Sequence, residues 1–144
     1  LRNNYELPGM KILQFAFDGN ENNPYLPKNI EGENWVVYTG THDNSTSTSW
    51  WEYLDYQIKN HLKNNYNFSD NPSWNLIEIG MGTKANLFIS PIQDILSLDD
   101  SSRLNTPGTI ANNWRWKLNQ TLDEIDINLQ KYSDLGNSYG RISD

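Results

Sequence analysis

Three short and almost uninterrupted apolar runs constrain the fold of this chain more than any other feature of its sequence. They occupy residues 11–17 (KILQFAF), 35–41 (WVVYTGT) and 86–92 (NLFISPI). None alternates polar with apolar residues, as a strand with one solvated face does, so each run is typical of a strand buried on both faces. Such strands occur in parallel sheets and are joined by helices or other long crossovers. The sequence therefore predicts an α/β fold with a parallel sheet.

An apolar stripe at helical spacing follows the second run. Ser49 and Glu52 fit a capping box, which predicts that Ser49 caps the start of a helix. The stripe then predicts one continuous helix whose buried side carries Trp50, Tyr53, Leu54, Ile58 and Leu62.

Two further helices are predicted from their start signals. Asn71 followed by Pro72 is typical of a helix start, because Pro is favoured at the first helical position. Thr121 and Glu124 repeat the capping-box pattern. The predicted buried stripes are Trp74, Ile77 and Met81 in the first helix and Leu122, Ile125, Leu129 and Tyr132 in the second. The pattern weakens at Gly136, so residues 136–144 are expected to form a poorly ordered tail.

The length of the chain limits how its strands can be used. Three strands are too few for a doubly wound domain with two covered faces. A closed (β/α)₈ barrel needs roughly 250 residues, and the chain has 144. Three strands do suit consecutive strands of a larger barrel or sheet. The chain also begins with Leu rather than Met, which is a first indication that it starts within something longer.

Charge and composition exclude several classes of function. With 18 acidic residues, 11 basic ones and a net charge of −7, the chain lacks the excess of Lys and Arg that nucleic-acid binding needs. It has no Cys and two His, so we expect no disulfide, metal site or cofactor. No apolar run is long enough for a membrane span, and no signal-peptide pattern follows Leu1. We expect a cytoplasmic location, or a plastid if the source is a plant or alga.

Polar residues follow the predicted strands, where α/β folds carry their chemistry. Directly after the second run stand Thr41, His42, Asp43 and Asn44. A turn beginning at Gly40 would bring His42 and Asp43 into one cavity, where a carboxylate and an imidazole can bind sugar hydroxyls. The alternative is an ordinary turn, since His-Asp pairs also occur by chance.

Two other places carry weaker signals. Asn105 opens a Thr-Pro-Gly turn signature, and NWRW follows at residues 113–116. Asn and Trp side chains often contact carbohydrate, but a tight turn feeding a helix explains the pattern better. Trp114 and Trp116 are accordingly interpreted as packing residues. Asp94, just after the third run, is a candidate for a buried and paired carboxylate.

A series of motifs makes a family resemblance specific. In order along residues 7–118 they are LPGMKILQFAFDG, NPYLPKN, VVYTGTHDN followed by WW, PIQDIL, RLNTPGT and NWRWKL. This series resembles the C-terminal part of the 4-alpha-glucanotransferases (amylomaltases or disproportionating enzymes) of glycoside hydrolase family 77. The chain departs from the family pattern at Asn44 and Ser45, where an acidic residue often follows the Asn, and in the Asn-rich segment 57–73.

The resemblance implies a fold and a reaction. Residues 1–144 would be the C-terminal portion of a catalytic (β/α)₈-barrel domain, about strands six to eight. The enzyme would transfer α-1,4-glucan segments by a retaining mechanism, which needs a nucleophilic and an acid/base carboxylate. Both would precede Leu1, so the piece alone is expected to be inactive. Its partners would be α-1,4-glucans or maltooligosaccharides and the missing N-terminal part of the same chain, with no nucleic acid and no membrane.

The resemblance also implies roles for four residues. Asp43 matches the transition-state-stabilising Asp of the family, and His42 matches the His that hydrogen-bonds the same sugar. Asn105 matches a contact to donor-side sugars, and Phe15 matches an aromatic residue near the acceptor side. Two alternatives stay open: a non-catalytic α-glucan-binding accessory module, and an α-glucan hydrolase of the α-amylase type, which also carries a His-Asp pair after its seventh strand.

Overall fold

A computed structural model describes residues 2–141 of the chain, and its central feature is a parallel three-stranded sheet. The strands are β1 (Gly9–Ile12), β2 (Trp35–Tyr38) and β3 (Leu87–Ile89), in the order β1-β2-β3. Both pairs are parallel, with Lys11 opposite Val37 and Val37 opposite Phe88. The predicted α/β fold is confirmed. The strands are shorter than the apolar runs, because a 3₁₀ turn (Leu13–Phe15) ends the first run and a loop follows Tyr38 in the second.

Within residues 2–141, five α-helices connect and flank the strands: α1 (Ser47–Tyr53), α2 (Tyr56–Tyr66), α3 (Pro72–Met81), α4 (Ile92–Ile95) and α5 (Leu122–Ser138). Helix α3 packs against α1, α4 and α5. No helix of residues 2–141 is long and apolar enough to cross a membrane.

The continuous helix predicted after β2 is wrong, because the chain forms two helices there. Thr46, not Ser49, caps α1, its side chain accepting from the backbone N–H of Ser49 at 3.3 Å. Leu54 then takes an extended conformation, and Asp55 caps α2. The Asp55 side chain accepts a hydrogen bond from the backbone N–H of Gln57, which has no partner within the helix. This bond stabilises a new helix start at the expense of one continuous helix. Tyr53, at the break, is exposed rather than buried.

The two other helix starts are confirmed. Asn71 caps α3 with Pro72 at its first turn, and Thr121 and Glu124 form both bonds of a capping box at α5. The three stripe residues predicted for α3 are buried: Trp74, Ile77 and Met81. The stripe predicted for α5 is only partly right. Ile125 is buried, but Leu122 and Leu129 are exposed, because α5 packs on α3 and α4 at the margin of the molecule.

Helix α5 continues past the point where the sequence pattern weakens. It extends through Ser138, with Gly136 buried against the rest of the molecule. Arg141 then donates hydrogen bonds to the carbonyl oxygens of Met81, Ala85 and Thr83. Residues 136–141 are thus anchored by partners that lie far away in the sequence, and the expectation of a poorly ordered tail stays a prediction. Residues 142–144 lie outside the described residues.

The core lies between one face of the sheet and the helices. Val37 and Phe88 point into it, together with Leu62, Leu76 and Ile77. The opposite face is largely exposed: Met10 is 55% exposed, Leu87 50% and Ile89 38%, although Ile12 on that face is buried. Complete burial, as predicted from the apolar runs, therefore holds for one face only, because little within residues 2–141 covers the second.

Candidate functional site

A tight loop carries the candidate residues at the carboxyl end of β2. At Gly40 the amide of Gln14 approaches so closely that an added Cβ would lie 2.7 Å from its nitrogen, so a side chain has no room there. The Asn44 side chain accepts hydrogen bonds from the backbone N–H and the hydroxyl of Thr41, at 2.9 and 2.7 Å. These bonds close the turn between them. The expectation that a turn at Gly40 brings His42 and Asp43 to one cavity is confirmed, since both line the same groove.

His42 and Asp43 form a contact pair on this loop. The Nε2 of His42 lies 3.3 Å from Oδ1 of Asp43, and each side chain is about half exposed. The groove beside them has a volume of about 680 Å³ and is open to solvent. The pair is therefore accessible to a bound molecule.

Asn105 reaches the same pair from a distant part of the chain. Its Nδ2 donates to Oδ1 of Asp43 at 2.5 Å, and its backbone N–H donates to the carbonyl of His42 at 3.1 Å. Both side-chain contacts to Asp43 fall on Oδ1. Oδ2 has no hydrogen-bond partner among residues 2–141 and is free to accept from a ligand.

The apolar wall of the groove includes Phe15. Its ring is about half exposed and packs edge-on against Tyr25, with the ring centroids 5.8 Å apart. The structure thus brings together the four residues that the sequence singled out. Carboxylate, imidazole and amide groups beside an apolar wall suit a sugar, which presents hydroxyls at its edge and C–H groups on its face. No group of three or more His, Asp or Glu in the described part of the chain is placed to hold a metal ion.

Trp114 is a member of this cluster that sequence reasoning missed. Its interpretation as a packing residue is wrong: the side chain is 61% exposed, and its ring centroid lies 5.0 Å from that of His42. Its φ of 61° is in the left-handed region, which is unusual for a bulky residue. A hydrogen bond from its N–H to the carbonyl of Leu104, at 2.7 Å, holds this conformation. No sequence signal separates it from Trp116.

A buried carboxylate supports the loop from below. Asp94 is 1% exposed and accepts from the hydroxyl of Thr39 at 2.5 Å. It also accepts from the N–H and the hydroxyl of Ser47, both at 2.7 Å. Burial raises the pKa of this carboxyl above its ordinary value, while the hydrogen bonds from Thr39 and Ser47 act in the opposite direction. The prediction of a buried, paired Asp94 is confirmed, and its partners flank the loop at both ends.

Comparisons with known proteins agree on one group of relatives. The family model described as 4-alpha-glucanotransferase (glycoside hydrolase family 77) matches residues 1–123. A chloroplastic/amyloplastic 4-alpha-glucanotransferase of Arabidopsis thaliana is 40% identical over 146 residues, which cover 99% of this chain and 25% of that protein. A 4-alpha-glucanotransferase of Synechocystis is 40% identical over 145 residues, covering 98% of this chain and 28% of that protein.

A solved structure matches the fold as well. The amylomaltase of Streptococcus agalactiae in complex with acarbose superposes with a TM-score of 0.89 at 27% sequence identity. The match covers 99% of this chain and 29% of that one. The chain thus spans about a quarter of the length of the relatives that it matches.

Proposed function

The chain belongs to the 4-alpha-glucanotransferases of glycoside hydrolase family 77, and we propose that the protein of which it forms part transfers α-1,4-glucan segments. The donor would be a glucan, and the acceptor another glucan or glucose. The observation that carries the proposal is the cluster at the carboxyl end of β2, where His42 and Asn105 both contact Oδ1 of Asp43 beside an open groove. These are the residues that the family motifs single out.

The proposed reaction is a retaining double displacement, whose transition states resemble an oxocarbenium ion. Asp43 stabilises that state by accepting hydrogen bonds from sugar hydroxyls. Asn105 and His42 occupy Oδ1, so Oδ2 is the atom that serves the substrate. A contact that strengthens as the sugar ring flattens lowers the barrier without tightening ground-state binding.

The other residues of the groove have complementary roles in this proposal. His42 donates to a hydroxyl of the same sugar, and its ring is held between Asp43 and Trp114. Phe15 supplies an apolar surface for a glucose face on the acceptor side. Asn105 fixes Asp43 and contacts donor-side sugars. The nucleophile and the acid/base belong to parts of the protein outside this chain.

The same proposal explains the largely exposed face of the sheet. Met10, Leu87 and Ile89 leave an apolar surface exposed on the side away from the helices. A sheet with one such face suits a segment of a (β/α)₈ barrel, whose interior is filled by side chains of all its strands.

The two alternative functions receive less support. The relatives match nearly the whole chain, and they are named as 4-alpha-glucanotransferases. These matches favour neither an accessory module nor an amylase-type hydrolase. The cytoplasmic location stays a prediction, and the Arabidopsis relative is named as chloroplastic/amyloplastic.

Maltotriose distinguishes these functions when it is incubated with the full-length protein. We expect glucose together with maltooligosaccharides longer than maltotriose, because transfer to an acceptor lengthens some chains as it shortens others. Maltose and glucose alone would indicate a hydrolase. No product, with maltotriose binding retained, would indicate a binding module. An Asp43→Asn protein serves as the control for products that arise at another site.

A further inference from the structure

Arg103 lies where the two polar loops of the site meet. Its Nη2 donates to the backbone carbonyl of Asp43 at 2.6 Å, and its Nε donates to the backbone carbonyl of Asn105 at 2.9 Å. Its Nη1 donates to the hydroxyl of Ser45 at 3.3 Å. One guanidinium therefore ties together two loops that are 62 residues apart in the sequence.

Asp100 fixes the guanidinium on its other side. Its Oδ2 lies 3.8 Å from Nη1 of Arg103, and its Oδ1 accepts from the backbone N–H of Thr46 at 2.8 Å. Both side chains of this pair are mostly buried, with 22% and 23% exposed. Asp100 thus contacts both Thr46, at the end of the loop, and the Arg103 guanidinium. These contacts keep the guanidinium against the carbonyls of Asp43 and Asn105.

We infer that Arg103 is a positioning residue for Asp43, an inference that rests on the proposed function. Its donors are directed at backbone carbonyls and a hydroxyl of the protein, so it acts through Asp43 and Asn105 rather than on the sugar. By fixing the two backbones relative to each other, it sets the 2.5 Å contact between the Asn105 amide and Oδ1 of Asp43. That contact directs Oδ2 toward the substrate.

The planar arginine fork is needed for this arrangement. Lysine keeps the positive charge but carries its donors on one nitrogen, so it cannot serve two carbonyls and a hydroxyl in one plane. A shift of the Asp43 carboxylate by about 1 Å can cost on the order of 10²-fold in rate, because alignment is required in the transition state. Substrate binding uses many other contacts and is affected less.

The first test compares Arg103→Lys with the wild type in the full-length protein. We expect kcat for maltotriose transfer to fall by about 10- to 100-fold, with KM within about 2-fold of wild type. Arg115→Lys, the same change at an exposed residue of the same long loop, is the matched control. A wild-type kcat in Arg103→Lys would overturn the inference, whereas a wild-type protein that performs no transfer would refute the proposed function instead.

The second test separates positioning from folding. A cavity of about 100 Å³ already borders Arg103 beneath the loop, so Arg103→Ala leaves room for a free guanidinium ion. We expect millimolar guanidinium, far below denaturing concentrations, to restore part of the kcat lost in Arg103→Ala, and sodium at the same ionic strength to restore none. If the activity of Arg103→Ala falls in proportion to its unfolded fraction and guanidinium restores none of it, Arg103 is a merely structural residue and the inference is wrong.

The third test does not depend on activity. In a crystal structure of the Arg103→Lys protein we expect the Asn105 amide to have moved away from Oδ1 of Asp43. An unchanged Asn105–Asp43 contact would contradict the inference even if the wild-type protein showed no transfer.

Discussion

Replacing Asp94 tests how strongly a buried carboxylate holds the loop that carries His42 and Asp43. Asp94 is fully enclosed and joins the end of β2, through Thr39, to the start of α1, through Ser47. The loop with the candidate site lies between these two anchors. Two changes separate its contributions: Asp94→Ala removes every acceptor, and Asp94→Asn keeps one oxygen and the shape of the side chain.

The expected cost follows from the hydrogen bonds that are lost. In Asp94→Ala, the N–H and hydroxyl of Ser47 and the hydroxyl of Thr39 lose their acceptor inside the protein. A buried donor that has lost its partner costs about 1–3 kcal/mol. Three donors are affected, and the two hydroxyls can rotate toward other acceptors, so we expect a loss of about 3–5 kcal/mol of unfolding free energy for Asp94→Ala. For Asp94→Asn we expect about 1–2 kcal/mol, since the amide oxygen can still accept from the Ser47 N–H and both hydroxyls can rotate to accept from its NH₂.

The pH dependence of this effect has a defined sign. Because burial raises the pKa of Asp94 above its value of 3.8 in the unfolded chain, the folded protein holds more protons between the two pKa values. The contribution of Asp94 is therefore largest below the unfolded-state pKa, and it declines as the pH rises through the folded-state pKa. Asn does not titrate. The stability deficit of Asp94→Asn should accordingly be largest below pH 3.8 and shrink as the pH rises above that value.

Urea denaturation of the full-length protein at several pH values measures the loss of unfolding free energy and its dependence on pH, with Asp99→Asn as the control. Asp99 is a fully exposed neighbour whose pKa is lowered by hydrogen bonds from Ser101 rather than raised. A deficit for Asp94→Asn that grows with pH would refute the reasoning, because it would mean that folding favours the ionised carboxylate. A deficit below about 1 kcal/mol for Asp94→Ala would show that water or rearrangement satisfies the three donors.

Three further predictions concern the site and the core. Asp43→Asn should lower kcat for maltotriose transfer by about 10²–10³-fold and change KM for maltotriose far less; an unchanged kcat would remove Asp43 from the proposed role. Asn105→Asp should lose more activity than Asn105→Ala, because it places a second carboxylate against Oδ1 of Asp43, and product analysis of both proteins checks the order. Gly80→Ala should cost about 2 kcal/mol in urea denaturation, because its Cβ would overlap the ring of Phe88, whereas Gly82→Ala, with 3.4 Å to its nearest neighbour, should be nearly neutral.

Local signals in the sequence predicted features that depend on near neighbours in the chain. The caps at Asn71 and Thr121 are examples, since each bonds an N–H three residues away. The same kind of signal failed at Ser49, where Thr46 is the cap and the Ser49 hydroxyl accepts from the backbone N–H of Asp100. That partner is 51 residues away, and no local pattern contains it.

For the site, the sequence identified residues but not their arrangement. Motifs singled out Phe15, His42, Asp43 and Asn105. The sequence did not predict that Arg103 bridges the backbones of Asp43 and Asn105, or that Trp114 lies against His42. These contacts depend on how the loop after Asp100 returns over the end of β2, which only the packed structure defines.

The sequence by itself determined the α/β class, the parallel sheet and the family, because apolar runs and serial motifs are properties of neighbouring residues. The tertiary structure alone decided which face of the sheet is covered, where the long helical segment breaks, and which atoms meet at Asp43. The physical reason is that burial and hydrogen bonding between distant segments outweigh local preferences of a few tenths to one kcal/mol. The carboxylate oxygen left free beside the groove, on which the proposed function depends, is a result of that long-range packing.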